Sequence, residues 1–412
     1  MSSKINSKCK RAAWLCTFVY FASYITRINF AVMAVKICND LGVEKTELSL
    51  VIVGFTVFYG AGQVLSGILG DRIKPTLLIT LGAITTVLYN VSMFFCETIP
   101  AMTVVWCANG LAQAMFWPPI VRLLASHFSD REYSFAVVRV SWGAQVATVL
   151  LYIVCPLLLP VFNWRVIMLF CAAVAAAILG VWIIFAPKVF SGEMMCADVK
   201  KEGSENTVEK TPLSIFLPIA LIIIGILCMG ILRDGVNNWM PSYLNEAFGM
   251  SEENSILSAV FPAVVAVAFF QLFGKVQQKF VKNEVLCASI IFCISTVAAL
   301  VLYFLPGSSP VISTATMSLI IGCMHGVNLM LITIVPKRFV KYGIVSTMSG
   351  VLNACTYVGS AVSTYGFAAL SEIKGWHFTI LMWFVISAVG AAITLLASFI
   401  WKKYYKAASD DR

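Results

Sequence analysis

Long apolar runs separated by short polar breaks are the dominant feature of this 412-residue chain. A helix that crosses the hydrocarbon core of a bilayer needs about 20 mostly apolar residues. Segments of that kind lie near residues 12–37, 46–68, 76–95, 101–125, 134–158, 164–186, 213–243, 254–275, 284–304, 312–335, 344–369 and 378–401. Only helices and closed barrels satisfy their backbone hydrogen bonds in lipid. The sequence therefore predicts an all-α membrane protein with twelve transmembrane helices.

Composition supports this fold class and argues against several functions. Hydrophobic residues make up 60% of the chain and charged residues 12%, whereas soluble domains have about 25% charged residues. This excludes a soluble enzyme or a nucleic-acid-binding protein. The sequence also has no Gly-x-x-x-x-Gly-Lys-Ser/Thr phosphate loop and no Cys/His cluster with metal-ligand spacing. We therefore expect no enzymatic activity, no ATP-driven pumping, no metal and no cofactor.

The lysines and arginines predict how the chain is oriented. Placing both termini in the cytoplasm puts 22 of the 29 Lys and Arg residues on the cytoplasmic side and 4 outside, as the positive-inside rule requires. The one long polar stretch, 187–212, then forms a cytoplasmic linker between two six-helix bundles, 1–186 and 213–412. We expect a multi-pass protein of the plasma (inner) membrane whose net charge of +9 reflects topology.

The two bundles share sequence features at matching positions. Gly110 in the fourth span and Gly322 in the tenth are 212 residues apart, and Arg27 in the first span and Arg233 in the seventh are 206 residues apart. Several such pairs occur in the same order, which indicates a duplicated six-helix unit. Two pseudo-symmetric halves around a midplane site are typical of secondary transporters.

Arg27 and Arg233 lie inside predicted spans, each about 12–14 Å below the outer surface of a roughly 30 Å core. An arginine at this depth costs about 2.5–3.5 kcal/mol on insertion scales. Neutralisation by a carboxylate is the alternative to a functional role, but the only candidate is Asp234, about 100° around the helix from Arg233. Since one carboxylate cannot neutralise arginines on two helices, we expect a small anionic substrate whose phosphate or carboxylate oxygens match the guanidinium fork.

Tyr20, Tyr24 and Arg27 are spaced to share one face of a helix. Tyrosine hydroxyls near the arginine could donate hydrogen bonds to a bound oxyanion. Packing of the two rings against a neighbouring helix is an equally good interpretation of the same spacing.

A family resemblance is carried by Arg27-x-Asn29-Phe30-Ala31, Gly67-x-x-x-Asp71-Arg72, Gln113-Ala-Met-Phe-Trp117-Pro118-Pro119-x-x-Arg122 and Trp239-x-Pro241-x-Tyr243. Over essentially its whole length the chain resembles the organophosphate:phosphate antiporters of the major facilitator superfamily, the group of the bacterial glycerol-3-phosphate and hexose-phosphate transporters. The resemblance implies exchange of an organic phosphate ester for inorganic phosphate by alternating access. It also implies that Arg27 and Arg233 hold the phosphate and that Tyr20, Tyr24 and Tyr59 line the cavity.

Polarity within the spans suggests further substrate-binding residues. In the resemblance, Gln63 stands where the glycerol-3-phosphate transporters carry a lysine, and Gln145 lies beside the position where they carry a histidine. The residues predicted to complete the substrate-binding set are Gln63, Gln145, Asn237, His325 and Tyr357. His325 has two interpretations, a proton site or a histidine hydrogen-bonded to a backbone carbonyl.

Four charged residues are assigned to gating: Asp71, Arg72, Arg122 and Arg139. In the superfamily that the chain resembles, the loop with Asp71 and Arg72 pairs with neighbouring helices in one conformation. Arg139 is about five residues inside the fifth span, within reach of the cytoplasmic surface, which favours a gate contact over substrate binding.

Two other functions fit the same sequence. One is a proton- or sodium-coupled symporter for an organic anion such as a sugar acid, since related families also use membrane arginines for anions. The other is a sugar-phosphate sensor, since the antiporter family contains such members. In each case we expect a monomer that contacts the lipid bilayer, binds a phosphate ester, inorganic phosphate or another small anion, and has no nucleic-acid partner.

Overall fold

The computed structural model describes residues 5–190, 212–251, 255, 258, 260–305 and 309–410. Within these residues no strand is present. The α-helices are α1 Ser7–Val32, α2 Ala34–Leu41, α3 Lys45–Arg72, α4 Pro75–Phe94, α5 Ile99–Gln113, α6 Trp117–His127, α7 Asp130–Leu158, α8 Trp164–Val189, α9 Phe216–Phe248, α10 Val260–Lys279, α11 Glu284–Phe304, α12 Pro310–Asn328 and α13 Val345–Asp410. Most of the predicted linker, residues 191–211, lies outside the described part of the chain.

Eleven helical segments of the described chain are long and apolar enough to cross a membrane. The last of them, Val345–Lys402, is 58 residues long and bends at Gly375. The φ of 77° at Gly375 is a left-handed conformation that glycine adopts because it has no Cβ to clash. The two arms of α13 bring the number of spans to the predicted twelve. The predicted loop between residues 369 and 378 is replaced by this single-residue break.

The chain divides into two compact units. The first comprises Met1–Glu209 with Phe339–Ala354, and the second comprises Lys210–Arg338 with Cys355–Arg412. The first turns of α13 therefore belong to the first unit, although the sequence assigned them to the second bundle. The division of the chain into bundles 1–186 and 213–412 stays a prediction.

In the first unit, α1 packs along α7 and α8, and α3 packs along α5. The close approach of α3 and α5 depends on Gly110, because a Cβ at that position would lie 2.6 Å from the carbonyl oxygen of Phe55. Gly143 allows the same close approach between α7 and α1, because a Cβ at that position would lie 2.5 Å from the carbonyl oxygen of Thr17. Glycine at these two positions lets the helices that carry the site pack backbone against backbone.

The predicted fourth span, 101–125, consists of two helices. α5 ends at Gln113 and α6 begins at Trp117. Pro118 and Pro119 lack a backbone N–H and cannot extend the ladder of α5, but they fit the first turn of a new helix, where N–H groups have no intrahelical partner. The break places Trp117 at the start of α6, where its side chain is buried.

The predicted span 312–335 also changes form along its length. After α12 ends at Asn328, the chain continues as a π-helical segment, Leu329–Ile334, and then as a 3-10 helix, Val335–Tyr342. All six residues of the π-helical segment are buried. Such segments interrupt the regular helical ladder and occur frequently at functional sites.

A buried ion pair joins three elements of the second unit. Glu284, at the start of α11, has no exposed surface and accepts hydrogen bonds from Arg338 Nε at 2.9 Å and Nη2 at 3.2 Å. The indole Nε1 of Trp401 donates to the same carboxylate at 3.1 Å. One carboxylate thus ties α11, the 3-10 helix and the second arm of α13 together, a contact that no sequence motif indicated.

Candidate substrate-binding and gating sites

Arg27 lies on α1 among aromatic rings of the first unit. Its guanidinium carbon is 4.0 Å from the ring centroid of Tyr59, 5.3 Å from that of Tyr24 and 5.6 Å from that of Phe55. Cation–π contacts of this kind are worth about 0.5–2 kcal/mol each, so they offset part of the cost of an arginine in the membrane. The rings also orient the guanidinium and carry no charge of their own.

Tyr20 and Tyr24 are neighbours on α1, as their spacing predicted, with ring centroids 5.1 Å apart. The Tyr20 ring also packs 5.1 Å from the ring of Trp117 and is 8% exposed. Tyr20 therefore packs against a neighbouring helix, whereas Tyr24 contacts the arginine. Donation of hydrogen bonds to an oxyanion stays a prediction for both.

A network of buried amides and hydroxyls lies next to the arginine, formed by Thr26, Asn29, Thr86, Asn90, Asn109 and Gln113. Asn29 Nδ2 donates to Asn90 Oδ1 at 2.9 Å, and Gln113 Nε2 donates to Thr86 Oγ1 at 2.8 Å. The carbonyl oxygen of Thr26 accepts from Asn90 Nδ2 at 3.0 Å. These bonds join α1, α4 and α5, so they fix the rotation of α1 and hence the direction in which the arginine leaves it.

The sequence contains a signal for this network that the motifs did not reveal. Thr86 and Asn90 are four residues apart within an apolar run, and so are Asn109 and Gln113. Residues at this spacing share a helix face, and polar groups in lipid need partners inside the protein. Two such pairs on neighbouring spans therefore indicate an interhelical polar cluster.

Gln63 on α3 is fully buried and bonded to α13. Its Oε1 accepts a hydrogen bond from Asn353 Nδ2 at 2.9 Å, while its Nε2 has no partner among the described residues. Gly350 makes this approach possible, since a Cβ there would collide with the carbonyl oxygen of Gln63. Gln63 makes a helix–helix contact in this arrangement, and its role toward a substrate stays a prediction.

Asp71, at the end of α3, caps the start of α13. Its carboxylate accepts hydrogen bonds from the backbone N–H groups of Ser346 at 2.9 Å and Thr347 at 2.7 Å, which the first turn of a helix leaves unsatisfied. Arg122 on α6 lies beside this cap, with its Nε 3.8 Å from Asp71 Oδ1. Arg122 also donates to the carbonyl oxygen of Ile73 at 3.1 Å. The arginine thus holds the end of α3 in the position that the cap requires.

The other residues predicted to act in the first unit are Arg72, Gln145 and Arg139, and each has different surroundings. Arg72 is exposed, and Gln145 is half-buried on α7. The guanidinium carbon of Arg139 lies 3.4 Å from the ring centroid of Phe135, and its Nη1 donates to the Phe135 carbonyl at 3.3 Å. The Arg139 side chain therefore extends toward the start of α7, the direction that a snorkelling arginine would take.

Arg233, in the second unit, pairs with the carboxylate next to it. Its Nε and Nη2 donate to Asp234 Oδ1 and Oδ2 at 2.7 Å and 2.8 Å, and the two side chains are 15% and 24% exposed. Side chains of adjacent helical residues point about 100° apart, and for that reason the sequence did not predict an ion pair between Arg233 and Asp234. The arginine side chain is long enough to overcome that angle and curl back onto its neighbour.

His325 on α12 and Ser360 on α13 complete a polar cluster around this pair. The Ser360 side chain lies beside the Asp234 carboxylate, and His325 lies close enough to interact electrostatically with both Arg233 and Asp234. The His325 ring also packs 5.5 Å from the ring of Phe270. The two interpretations of His325 from the sequence were a proton site and a histidine hydrogen-bonded to a backbone carbonyl. Neither interpretation included an interaction with the Asp234 carboxylate.

The last two predicted residues of the second unit are less enclosed. Asn237 is exposed, one helical turn beyond Arg233 on α9, and Tyr357 is half-buried on α13, one turn before Ser360. Across the described ranges, no group of three or more His, Cys, Asp and Glu residues is arranged to hold a metal ion. Each candidate arginine thus has its own surroundings. Arg27 in the first unit lies among aromatic rings beside a network of amides and hydroxyls, and Arg233 in the second unit pairs with Asp234. A guanidinium group suits a small anion.

The sequence pattern of the Major Facilitator Superfamily matches residues 16–364. The chain belongs to this superfamily. The match extends from α1 into α13, so it includes both membrane arginines and the loop motif that first indicated the resemblance. The family and the fold are those of multi-pass membrane transporters and not of enzymes.

Two relatives and one solved structure are informative. The chain is 25% identical to the glycerol-3-phosphate transporter of Bacillus subtilis over 424 residues, which cover 96% of this chain and 94% of that protein. It is 22% identical to the membrane sensor protein UhpC of Salmonella typhimurium over 420 residues, covering 92% and 89%. The proton:xylose symporter XylE shares the fold, with a TM-score of 0.71 at 11% identity over 97% and 96% of the two chains. The resemblance to organophosphate transporters is confirmed.

Proposed function

We propose that this chain is a secondary active transporter that exchanges an organic phosphate ester for inorganic phosphate by alternating access. Similarity to a glycerol-3-phosphate transporter over nearly the full length supports the proposal. The observation that carries it is Arg27 inside the membrane-spanning α1, oriented by the rings of Tyr24 and Tyr59. A planar guanidinium offers parallel donors that match the oxygens of a phosphate group.

In this mechanism one phosphate group is bound by Arg27 and Arg233. A ligand that binds the closed state better than the open states lowers the free energy of the state through which the transporter must pass. The further proposed contacts are Tyr20, Tyr24, Tyr59, Gln63, Gln145, Asn237, His325 and Tyr357. The transporter works as a monomer in the plasma (inner) membrane with both termini in the cytoplasm.

A ligand screen with the purified protein tests the substrate class. A ligand that binds only the folded state raises its stability, by about 2.7 kcal/mol at a concentration 100 times the Kd. We expect inorganic phosphate, glycerol 3-phosphate or a hexose phosphate to raise the melting temperature. Sulfate at equal ionic strength serves as the control for general salt effects. Stabilisation by sugar acids alone would contradict the proposal and favour the symporter for organic carboxylates.

A sensor is the second candidate, and the similarity to the membrane sensor protein UhpC supports it. A sensor and a transporter can bind the same ligand with the same residues, so the ligand screen does not separate them. Only a transporter carries the ligand across the membrane in repeated cycles. Transport measured in vesicles therefore decides between the two.

We propose that Asp71 and Arg122, together with Arg72 and Arg139, act in gating. Asp71 binds the first turn of α13 while Arg122 holds the end of α3. A carboxylate at a helix N-terminus stabilises the helix through its hydrogen bonds and through the helix dipole. Breaking this cap would release α13 from α3, which is the kind of discrete change that alternating access requires.

Asp71→Asn is expected to slow transport with little effect on substrate binding. The asparagine keeps the shape of the side chain but loses the charge, and charge-assisted hydrogen bonds contribute about 1.5–3 kcal/mol. Turnover should fall about tenfold or more while KM changes by less than about threefold. Lys74→Gln, an exposed change in the same turn, serves as the control. A fall in affinity as large as the fall in turnover would show that Asp71 acts on substrate binding.

A further inference from the structure

The pairing of Arg233 with Asp234 raises a question about the charge of the bound substrate. Both carboxylate oxygens of Asp234 are engaged by Nε and Nη2 of Arg233. This edge of a guanidinium, with two parallel N–H groups, is the one that binds a phosphate or carboxylate in bidentate fashion. Asp234 thus occupies, as an internal anion, a position on Arg233 that suits a substrate oxyanion.

A phosphate monoester that binds Arg233 must come close to this carboxylate. The second pKa of such an ester is roughly 6, so at pH 8 it carries nearly two negative charges. Two anions that share a site cannot both stay ionised at low cost, so one of them takes up a proton, as in carboxylate pairs of enzymes. The ester and Asp234 therefore compete for Arg233, and protonation of the carboxylate removes the conflict.

The surroundings of Asp234 can accept its neutral form. The Ser360 hydroxyl on α13 lies beside it and can act as a hydrogen-bond donor or acceptor. In the described part of the chain, the charged and titratable groups that act on Asp234 are Arg233 on its own helix and His325 on α12. His325 could also take the proton, and a test must separate the two.

We propose that Asp234 is an internal counter-anion of the substrate site, which binds Arg233 in the empty protein and takes up one proton when a dianionic phosphate ester displaces it. The proton comes from the solution that the site faces, forms an O–H bond on the Asp234 carboxyl, and returns to solution when the ester leaves. A monoanionic ester would bind without proton uptake. During the exchange reaction, one proton crosses the membrane with the incoming substrate and one proton crosses back with the outgoing substrate. No net proton movement is therefore required. This inference rests on the proposed function.

Calorimetric titration of the full-length protein with glycerol 3-phosphate at pH 8 tests it. Titrations in two buffers with different heats of ionisation give the number of protons taken up on binding. We expect about one proton per ester for the wild type, and an affinity that falls about tenfold per pH unit between pH 7 and 8, as linkage to one proton requires. Asp234→Asn should take up almost no proton and bind the ester at least as tightly at pH 8.

The controls separate this inference from the proposed function. Glu246→Gln changes a carboxylate on the same helix that accepts a hydrogen bond from Trp376 at 2.7 Å, and should behave like the wild type. Proton uptake near zero in the wild type, which requires no variant to fold, would overturn the inference while leaving the proposed function intact. One proton retained by Asp234→Asn would also overturn it and would point to His325. Failure of the wild type to bind phosphate or its esters at any pH would overturn both.

Discussion

Arg27→Lys is expected to abolish most phosphate binding while the protein still folds. Lysine keeps the positive charge but replaces the planar two-pronged donor by a compact ammonium. Loss of a charge-assisted hydrogen bond costs about 1.5–3 kcal/mol, which is roughly a 10- to 150-fold loss of affinity. The rings of Tyr24 and Tyr59 remain to accept a cation, so the melting temperature should change little. Titration of the purified variant with inorganic phosphate measures the effect.

Arg233→Lys should have an effect of similar size, and the double variant tests whether the two arginines serve one ligand. Effects of residues that share a partner do not add, so the double variant should be little worse than either single one. Arg139→Lys is the matched control, because Arg139 packs on Phe135 at the start of α7. Near-normal phosphate binding by both single variants would remove the two-arginine site. Loss only in Arg139→Lys would contradict binding by Arg27 and Arg233 and would point to Arg139 as the phosphate-binding residue.

Glu284→Gln is expected to destabilise the second unit strongly. Glu284 is fully buried and its carboxylate accepts hydrogen bonds from Arg338 and Trp401. Removal of one member of a buried ion pair costs about 3–5 kcal/mol, because the other charge is left without compensation. Unfolding of the purified variant followed by temperature or denaturant should show a loss of this order.

Two further variants make the test of Glu284 specific. Glu132→Gln alters a carboxylate at the start of α7 that accepts a hydrogen bond from Ser129 at 3.1 Å, and a peripheral change of this kind should stay within about 0.5 kcal/mol. A double variant, Glu284→Gln with Arg338→Gln, should lose less than the sum of its single changes, since no charge is then left unpaired. Wild-type stability for Glu284→Gln alone would contradict the structural role assigned to the pair.

The features that sequence analysis predicted are those that depend on local spacing and composition. The length of the apolar runs gave the helical spans, and the i, i+4, i+7 spacing placed Tyr20, Tyr24 and Arg27 on one face of α1. The Trp117-Pro118-Pro119 segment contributed to the family resemblance. Its consequence, a break between α5 and α6, follows from the missing backbone N–H groups of Pro118 and Pro119, and the hydropathy of the run concealed it.

The features that sequence analysis missed depend on contacts between distant segments or on side-chain reach. Glu284 and Arg338 are 54 residues apart, and each alone looks like a charge at the end of a span. The pairing of Arg233 with Asp234 was underestimated because the angle between adjacent residues ignores the length of an arginine side chain. The cap of α13 by Asp71 spans 275 residues, so only the family resemblance suggested that this loop binds another helix.

Uptake of labelled inorganic phosphate into vesicles that contain the purified protein tests the central claim most directly. Vesicles are loaded with unlabelled phosphate, with glycerol 3-phosphate or with sulfate, and each set is measured with and without an imposed pH gradient. The exchange mechanism predicts rapid uptake only when phosphate or its ester is trapped inside, no requirement for the gradient, and background uptake with Arg27→Lys. Uptake that follows the pH gradient and ignores the trapped phosphate would contradict exchange, and binding without any uptake would favour the sensor.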